Sequence, residues 1–296
     1  MLAATSAVPA LAPEAIRGVE ISPEHVSGAV HVLRGAGANI GVCAGEDGLL
    51  LVDDAFAPLW PAIRTALSSV AEGPIRLVVN THWHLDHTGG NDALPGEAVI
   101  LAHPNALRRR AAAMEALPGT ASKSAPAGGT TRIAFEQDLT LHMNGEEVSI
   151  THHPRGHTDG DCVVHFRRAN VVQMGDTFVT YGLPYVDVAS GGSLLGMIDG
   201  VEQVMARLPD DVKVVPGHGP VSSKDDVRRF VAMLRGCVAR VERERDRGLT
   251  LPELLAARVL EPYDHLGRGF VRTEAFTELV FTELELARGR APVRPR

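Results

Sequence analysis

Four side chains able to ligate a metal ion fall within six residues, His82, His84, Asp86 and His87 in THWHLDHTGG, directly after the apolar run IRLVVN at 75–80. On a chain leaving a strand, His82 and His84 project to the same side under a period of two, so one cation can take both. Asp86 and His87 fall past the bend, where they can face a second cation. Imidazole and carboxylate suit zinc, and also iron or manganese. With no cysteine among them, the pattern is unlike a closed structural zinc site and points to a catalytic ion with an open coordination position. A surface loop that happens to be histidine-rich is the competing reading, and the apolar strand before it and the Thr-Gly-Gly after it count against that.

These side chains need rigid elements behind them. From Gly28 the runs AVHVLRG, NIGVCAG and LLLVDD, rich in β-branched or aliphatic residues and separated by glycine-bearing turns, predict an antiparallel meander. Apolar residues at helical spacing over 61–70, then the apolar strand 75–80, give a strand–helix–strand order. A short strand at 99–101 and a helix over 104–117 follow, and then 118–131 (PGTASKSAPAGGTT), a loop long enough to act as a functional cover. Asn144-Gly145 marks a two-residue hairpin between LTLHM and EEVSITHH, with further strands at 162–166 and 171–174. Helices are expected over 193–208 and 222–247, the second capped by Ser222 or Ser223 with acids in its first turn, and a strand at 212–215 lies between them. Shorter helices from Thr250 and Thr273 finish the chain. This order predicts an α/β fold of two mixed sheets packed face to face with helices outside both, a four-layer αββα sandwich.

THWHLDHTGG resembles the HxHxDH signature of the metallo-β-lactamase superfamily. That family also implies, further on, a single His after a strand, an Asp ending another strand and a final His in a Gly-His turn. PRGHTDGD, VVQMGDTF and VVPGHGP supply these in order. The resemblance implies that His82, His84 and His157 hold one ion, that Asp86, His87 and His218 hold the second, and that Asp176 bridges them. Asp53, closing LLLVDD, matches the family's acid after an early strand and would orient ligands; Asp54 is the weaker candidate for that role. The resemblance covers about residues 28–223 and fits the helical tail only loosely. Residues 1–19 read as a flexible or signal-like N-terminus and 20–296 as one domain of the metallo-β-lactamase fold with C-terminal helices.

The chemistry so implied is hydrolysis. Two zinc ions, with iron or manganese as alternatives, would share a water and lower its pKa towards neutrality, leaving hydroxide as the nucleophile. Asp86 would orient that hydroxide and shuttle a proton to the departing atom. The expected partner is a small-molecule ester, thioester, lactone or lactam, and the same hydroxide chemistry extends to a phosphodiester. The ligand set is similar to that of the glyoxalase II and quinoprotein-relay branches, although the basic substrate-binding tail of the former is not evident. Asp176 stands where true β-lactamases of two subclasses carry a cysteine, so antibiotic cleavage is an alternative, as main or side activity. Trp83, Tyr181, Leu183, Pro184 and Tyr185 are candidate pocket residues together with the 118–131 loop, and ordinary loop packing explains Tyr181 and Tyr185 equally well. A mononuclear iron dioxygenase of the persulfide-oxidising kind and a non-catalytic metal-binding scaffold remain as rival readings. The intact His87 and His218 argue against the first, and the complete ligand set against the second.

Composition bounds the rest. A hydrophobic fraction of 45% with 22% charged residues is that of a folded protein with a substantial core, and a net charge of −7 without a basic face makes nucleic acid a poor partner. The arginines at 108–110 and 240–247 read as solvated helix faces. Cys43, Cys162 and Cys237 are too few and too scattered for a disulfide framework and read as small buried hydrophobes. His25, His31, His103, His142, His152, His153, His165 and His265 read as satisfied polar residues, and Met174 and Phe178 as core. No run is apolar enough for membrane insertion. The start MLAATSAVPALA ends like a secretory cleavage site but lacks a basic opening, so a periplasmic or secreted protein and a cytoplasmic one with an alanine-rich terminus both fit.

Overall fold

Two sheets carry the structure in the computed structural model, which describes residues 18–35, 37–116 and 131–290. The first contains β1 (Ser22–Ser27), β2 (Val30–Arg34), β3 (Ile40–Gly45), β4 (Gly48–Val52), β5 (Ile75–Val79), β6 (Val99–Ala102) and β7 (Thr131–Ala134), side by side in chain order. Its first four strands form an antiparallel meander, and β4 to β7 run parallel. Parallel neighbours need crossovers. Helix α1 (Trp60–Val70) supplies one between β4 and β5, α2 (Leu85–Thr88) lies between β5 and β6, and α3 (Pro104–Ala116) follows β6.

The second sheet is built from β8 (Asp138–Met143), β9 (Glu146–His153), β10 (Asp161–Phe166), β11 (Val171–Gln173), β12 (Lys213–Val215) and β13 (Ser222–Ser223). It is antiparallel except where β11 meets β12, which α4 (Leu194–Arg207) connects. Helices α5 (Lys224–Asp246), α6 (Leu251–Ala256) and α7 (Thr273–Arg290) complete the fold. Ser223 caps α5 in a capping box with Asp226.

Alternation along the strands sorts apolar side chains into three cores, and three cores require four layers. In β4, Leu49 and Leu51 face α1, whereas Leu50 and Val52 face the second sheet. In β10, Cys162, Val164 and Phe166 face the first sheet, whereas Val163 joins the core under α4 and α5. Met174 and Phe178 belong to that outer core, and all three cysteines are buried.

The strands β1 and β7 were not expected. Their sequences, SPEHVS and TRIA, lie at one end or the other of the first sheet and are largely exposed, so neither carries the apolar alternation that marks a strand. Residues 1–17 of the signal-like start, and the 118–131 loop except Thr131, lie outside the described residues.

Polar clasps fix how the sheets meet. Asn144 and Gly145 both take positive φ (54° and 71°) in the β8–β9 turn, and Asn144 Nδ2 reaches across to donate to the carbonyls of Cys43 and Gly48. Among the described residues no helix is long and apolar enough to cross a membrane.

Candidate metal centre

The loop that carries the clustered candidate ligands begins where β5 ends, and Asp53 at the end of the neighbouring β4 holds it. Asp53 accepts from the Thr81 backbone N–H at 2.7 Å, from the Thr81 hydroxyl at 2.8 Å and from His87 Nδ1 at 2.7 Å. Serving all three bends the chain sharply, and Asp53 and Ala55 take φ of 64° and 54°, uncommon for residues with a Cβ. Asp54 points elsewhere and accepts from the Gly90 N–H at 2.9 Å; a Cβ on Gly90 would lie 2.3 Å from the Asp54 carbonyl oxygen. His84 caps α2, placing Asp86 and His87 on one short helical turn.

The other candidate ligands come from the second sheet. His157 sits in the β9–β10 loop, which Asp161 fastens by accepting from the Thr158 N–H and hydroxyl. Asp176 follows β11 in a single 3-10 turn whose first residue, Gly175, has φ 50°. His218 lies in the Gly-His turn after β12, anchored by Asn39, whose Nδ2 donates to the carbonyls of Pro216 and Gly219.

The seven side chains named from sequence converge. His84 Nδ1 lies 2.8 Å from His157 Nε2 and 3.1 Å from His82 Nε2. Asp176 Oδ1 is 3.2 Å from His87 Nε2 and 3.4 Å from His218 Nε2, while its Oδ2 is 3.7 Å from His157 Nε2. Asp86 Oδ2 stands 3.2 Å from His218 Nε2 and 3.6 Å from His87 Nε2. Asp86 and His218 keep some exposure and the others are buried, so the Asp86 and His218 side faces solvent.

The outward ring nitrogens show what the inward ones are for. His87 Nδ1 donates to Asp53, His157 Nδ1 to the Tyr185 carbonyl at 2.8 Å, His218 Nδ1 to the Gly37 carbonyl at 3.1 Å and His84 Nε2 to Asp187 Oδ2 at 3.1 Å. His82 Nδ1 lies 3.1 Å from the Thr81 hydroxyl oxygen, whose proton is directed at Asp53. Each imidazole therefore has its outer nitrogen committed as a donor and its other nitrogen turned inward, the arrangement of metal-ligating histidines. Where the inward nitrogens carry lone pairs, these repel unless a cation sits among them. Asp176 Oδ1, buried and close to two imidazoles, makes no well-formed hydrogen bond. The donor set thus fits metal ions, and three overlapping groups meet the requirement: His82, His84 and His157; His82, His87 and Asp176; and Asp86, His87 and His218.

Electrostatics divide the centre. Burial, reinforced by His84, pushes His157 down to about 4, and burial with the neighbouring imidazoles holds His82 well below its ordinary value. At the other end burial also opposes charge, but Asp176 and Asp86 outweigh it and raise His218 to about 10 and, with Asp53, His87 well above its ordinary value. At one end His82 and His157 are held uncharged, and the other end, rich in carboxylates, demands positive charge.

Aromatic rings surround this cluster. Trp83 lies 4.5 Å from the His84 ring, Tyr181 5.7 Å from His218, and Tyr185 5.8 Å from His157 and 6.1 Å from His84. Leu183, expected in the pocket, is instead packed in the core under α4 and α5, and Pro184 is buried.

Two further expectations need correction. Arg110 is not on a solvated face: it is buried, its Nε donates to the Thr88 carbonyl at 3.1 Å and its guanidinium lies 3.1 Å from Asp92, so it ties α3 to the metal-binding loop. Among the histidines set aside, His31, His153 and His165 each keep one buried ring nitrogen without a hydrogen-bond partner, so these are not fully satisfied. None of the eight joins a metal-ligating group among the described residues. Asp187 was missed, since a lone acid in a loop carries no ligand spacing.

Comparison with known proteins agrees with this geometry. The sequence profile of the metallo-beta-lactamase superfamily matches residues 25–218. A hydroxyacylglutathione hydrolase of Polaromonas sp. is 29% identical over 166 residues, 55% of this chain and 56% of that protein. Among solved structures, a stereoselective inverting sec-alkylsulfatase from Pseudomonas sp. superposes with a TM-score of 0.66 at 17% identity, covering 93% of this chain and 52% of the sulfatase. A metallo-beta-lactamase from Pontibacter korlensis gives a TM-score of 0.58 at 19% identity over 73% of this chain and 99% of its own. This chain thus spans about half the length of the hydroxyacylglutathione hydrolase and of the sulfatase. With two face-to-face sheets, helices outside both, and the clustered His and Asp side chains at their common edge, the chain belongs to the metallo-beta-lactamase superfamily.

Proposed function

We propose that this protein is a metal-dependent hydrolase that activates water at a two-cation centre and cleaves an ester, thioester, lactone or lactam. The observation that carries the reading is the set of five imidazoles with their outer nitrogens committed to Asp53, Thr81, Asp187, Tyr185 and Gly37 and their other nitrogens turned inward on one another and on Asp86 and Asp176. His82, His84 and His157 would hold one cation and Asp86, His87 and His218 the other, with Asp176 offering an oxygen to each. Bound there, divalent cations such as zinc would lower the pKa of water towards neutrality and polarise the attacked carbonyl.

The chain's own residues do the rest. Asp86, on the partly exposed side of the cluster, would accept the proton of the attacking water and return it to the departing oxygen, sulfur or nitrogen. The carbonyl of Tyr185 and the carboxylates of Asp53 and Asp187 keep the imidazoles from rotating, so the donor atoms are held ready before any substrate arrives. Trp83, Tyr181 and Tyr185 line the approach.

The test is elemental analysis of the purified protein followed by a panel of p-nitrophenyl esters, thioesters, lactones, nitrocefin and phosphodiesters on zinc-reconstituted protein. Near two equivalents of metal and turnover of a carbonyl substrate are expected. Full occupancy with no turnover of any would reduce the chain to a metal-binding scaffold, and about one iron per chain would favour the persulfide-oxidising reading.

A further inference from the structure

The segment 264–272, between the short turn Glu261–Tyr263 and α7, returns to the metal centre although it lies beyond the residues that the family profile matches. It is fixed against the loop that follows Asp176. Leu183 donates its backbone N–H to the Leu266 carbonyl at 3.4 Å, and a Cβ on Gly182 (φ 127°) would come within 2.3 Å of that same oxygen. Contact this close leaves room only for glycine at 182. The segment ends by placing the Phe270 ring edge-on to Tyr185, with centroids 5.7 Å apart.

Phe270 is 73% exposed, the most exposed of the four large apolar residues that stand out from the described surface. A single exposed apolar side chain is ordinary by itself. Here, however, the ring continues a row: Phe270 against Tyr185, and Tyr185 against His157 and His84. Tyr185 also orients His157 through its carbonyl, so the aromatic row and the metal-ligating groups are registered to each other. An apolar surface leading away from a polar reacting centre suits a substrate whose cleaved group is polar and whose remainder is greasy.

We propose that Phe270 and Tyr185 form an apolar wall that receives the acyl chain of the substrate, so that the protein selects esters or thioesters of long-chain over short-chain carboxylic acids. The inference rests on the hydrolase reading above. It predicts that octanoate, a product-like ligand, binds more tightly than acetate, and that Phe270 is responsible for much of the difference.

Isothermal titration of octanoate and of acetate into zinc-reconstituted wild type, Phe270→Ala and Phe270→Leu tests it without requiring turnover. The ratio of octanoate to acetate affinity is expected to fall about tenfold in Phe270→Ala, the scale of one lost aromatic contact, and to recover in large part in Phe270→Leu. A wild type without preference for octanoate, or a ratio indifferent to Phe270, overturns the wall. Hydrolysis of p-nitrophenyl acetate and octanoate separates the two readings. Preferred binding of octanoate with turnover of no substrate in the panel above sinks the hydrolase and keeps the wall, whereas turnover of both esters with an unchanged ratio in Phe270→Ala sinks the wall alone.

Discussion

His84 donates from Nε2 to Asp187 Oδ2 at 3.1 Å, and this bond decides that Nδ1 is the nitrogen facing His82 and His157. Asp187 is itself fixed. Its carboxylate accepts from the Ser190 N–H, its own N–H donates to the His157 carbonyl at 2.8 Å, and the hydrogen bonds from His84 and Ser190 outweigh burial to hold it at about 2.

Asp187→Ala is therefore expected to weaken metal retention at the His82, His84 and His157 group by roughly 10–100-fold, the usual cost of losing such a partner. Competition with a chromogenic chelator measures this. Wild-type retention in the variant would show that packing alone orients His84.

Asp86→Ala should lose most turnover, on the order of 100-fold or more, while the imidazole trio, which does not include Asp86, keeps part of its metal. Metal content and kcat determined on the same preparation check both halves. A variant as active as wild type would remove Asp86 from the proton transfer.

A Cβ on Gly217 would lie 1.9 Å from Asp176 Oδ1. Gly217→Ala should displace the carboxylate, destabilise the protein by about 1–3 kcal/mol as overpacking does, and shrink the rise in Tm that zinc produces in wild type. Differential scanning with and without zinc reads this directly, and an undiminished zinc increment would contradict the shared role of Asp176.

His103 stacks on His152 with ring centroids 3.7 Å apart, and burial with that neighbour pushes its pKa from 6.5 down to about 4. The unfolded chain then binds the proton more readily than the folded one. The contribution of this residue to stability is complete above about pH 6.5 and is lost as the pH falls towards 4. His103→Gln should flatten the urea midpoint against pH across that window, and an unchanged slope would assign the acid sensitivity elsewhere.

What could be read from sequence follows a physical division. The strands buried on both faces, the Asn144-Gly145 turn and the capped helix α5 announce themselves because local rules determine them. The clustered ligands did so because His82, His84, Asp86 and His87 are close along the chain as well as in space. The edge strands β1 and β7 were hidden, since pairing at a sheet end needs no apolar pattern. Asp187, Arg110 and Phe270 were hidden for another reason: each acts through contacts distant in sequence, to His84, Thr88 and Tyr185 respectively, and such contacts leave no periodicity behind.

The Asn144 clasp and the inter-sheet core have one more implication. His82, His84, Asp86 and His87 extend from one sheet, and His157, Asp176 and His218 from the other, so a cation there would act as a rivet through a seam. Slippage of one slab against its mate by even a fraction of an ångström would pull the rivet's sockets out of line. A void opened at Leu50 or Phe166, in the core between the slabs, should then blunt the chemistry without touching a histidine.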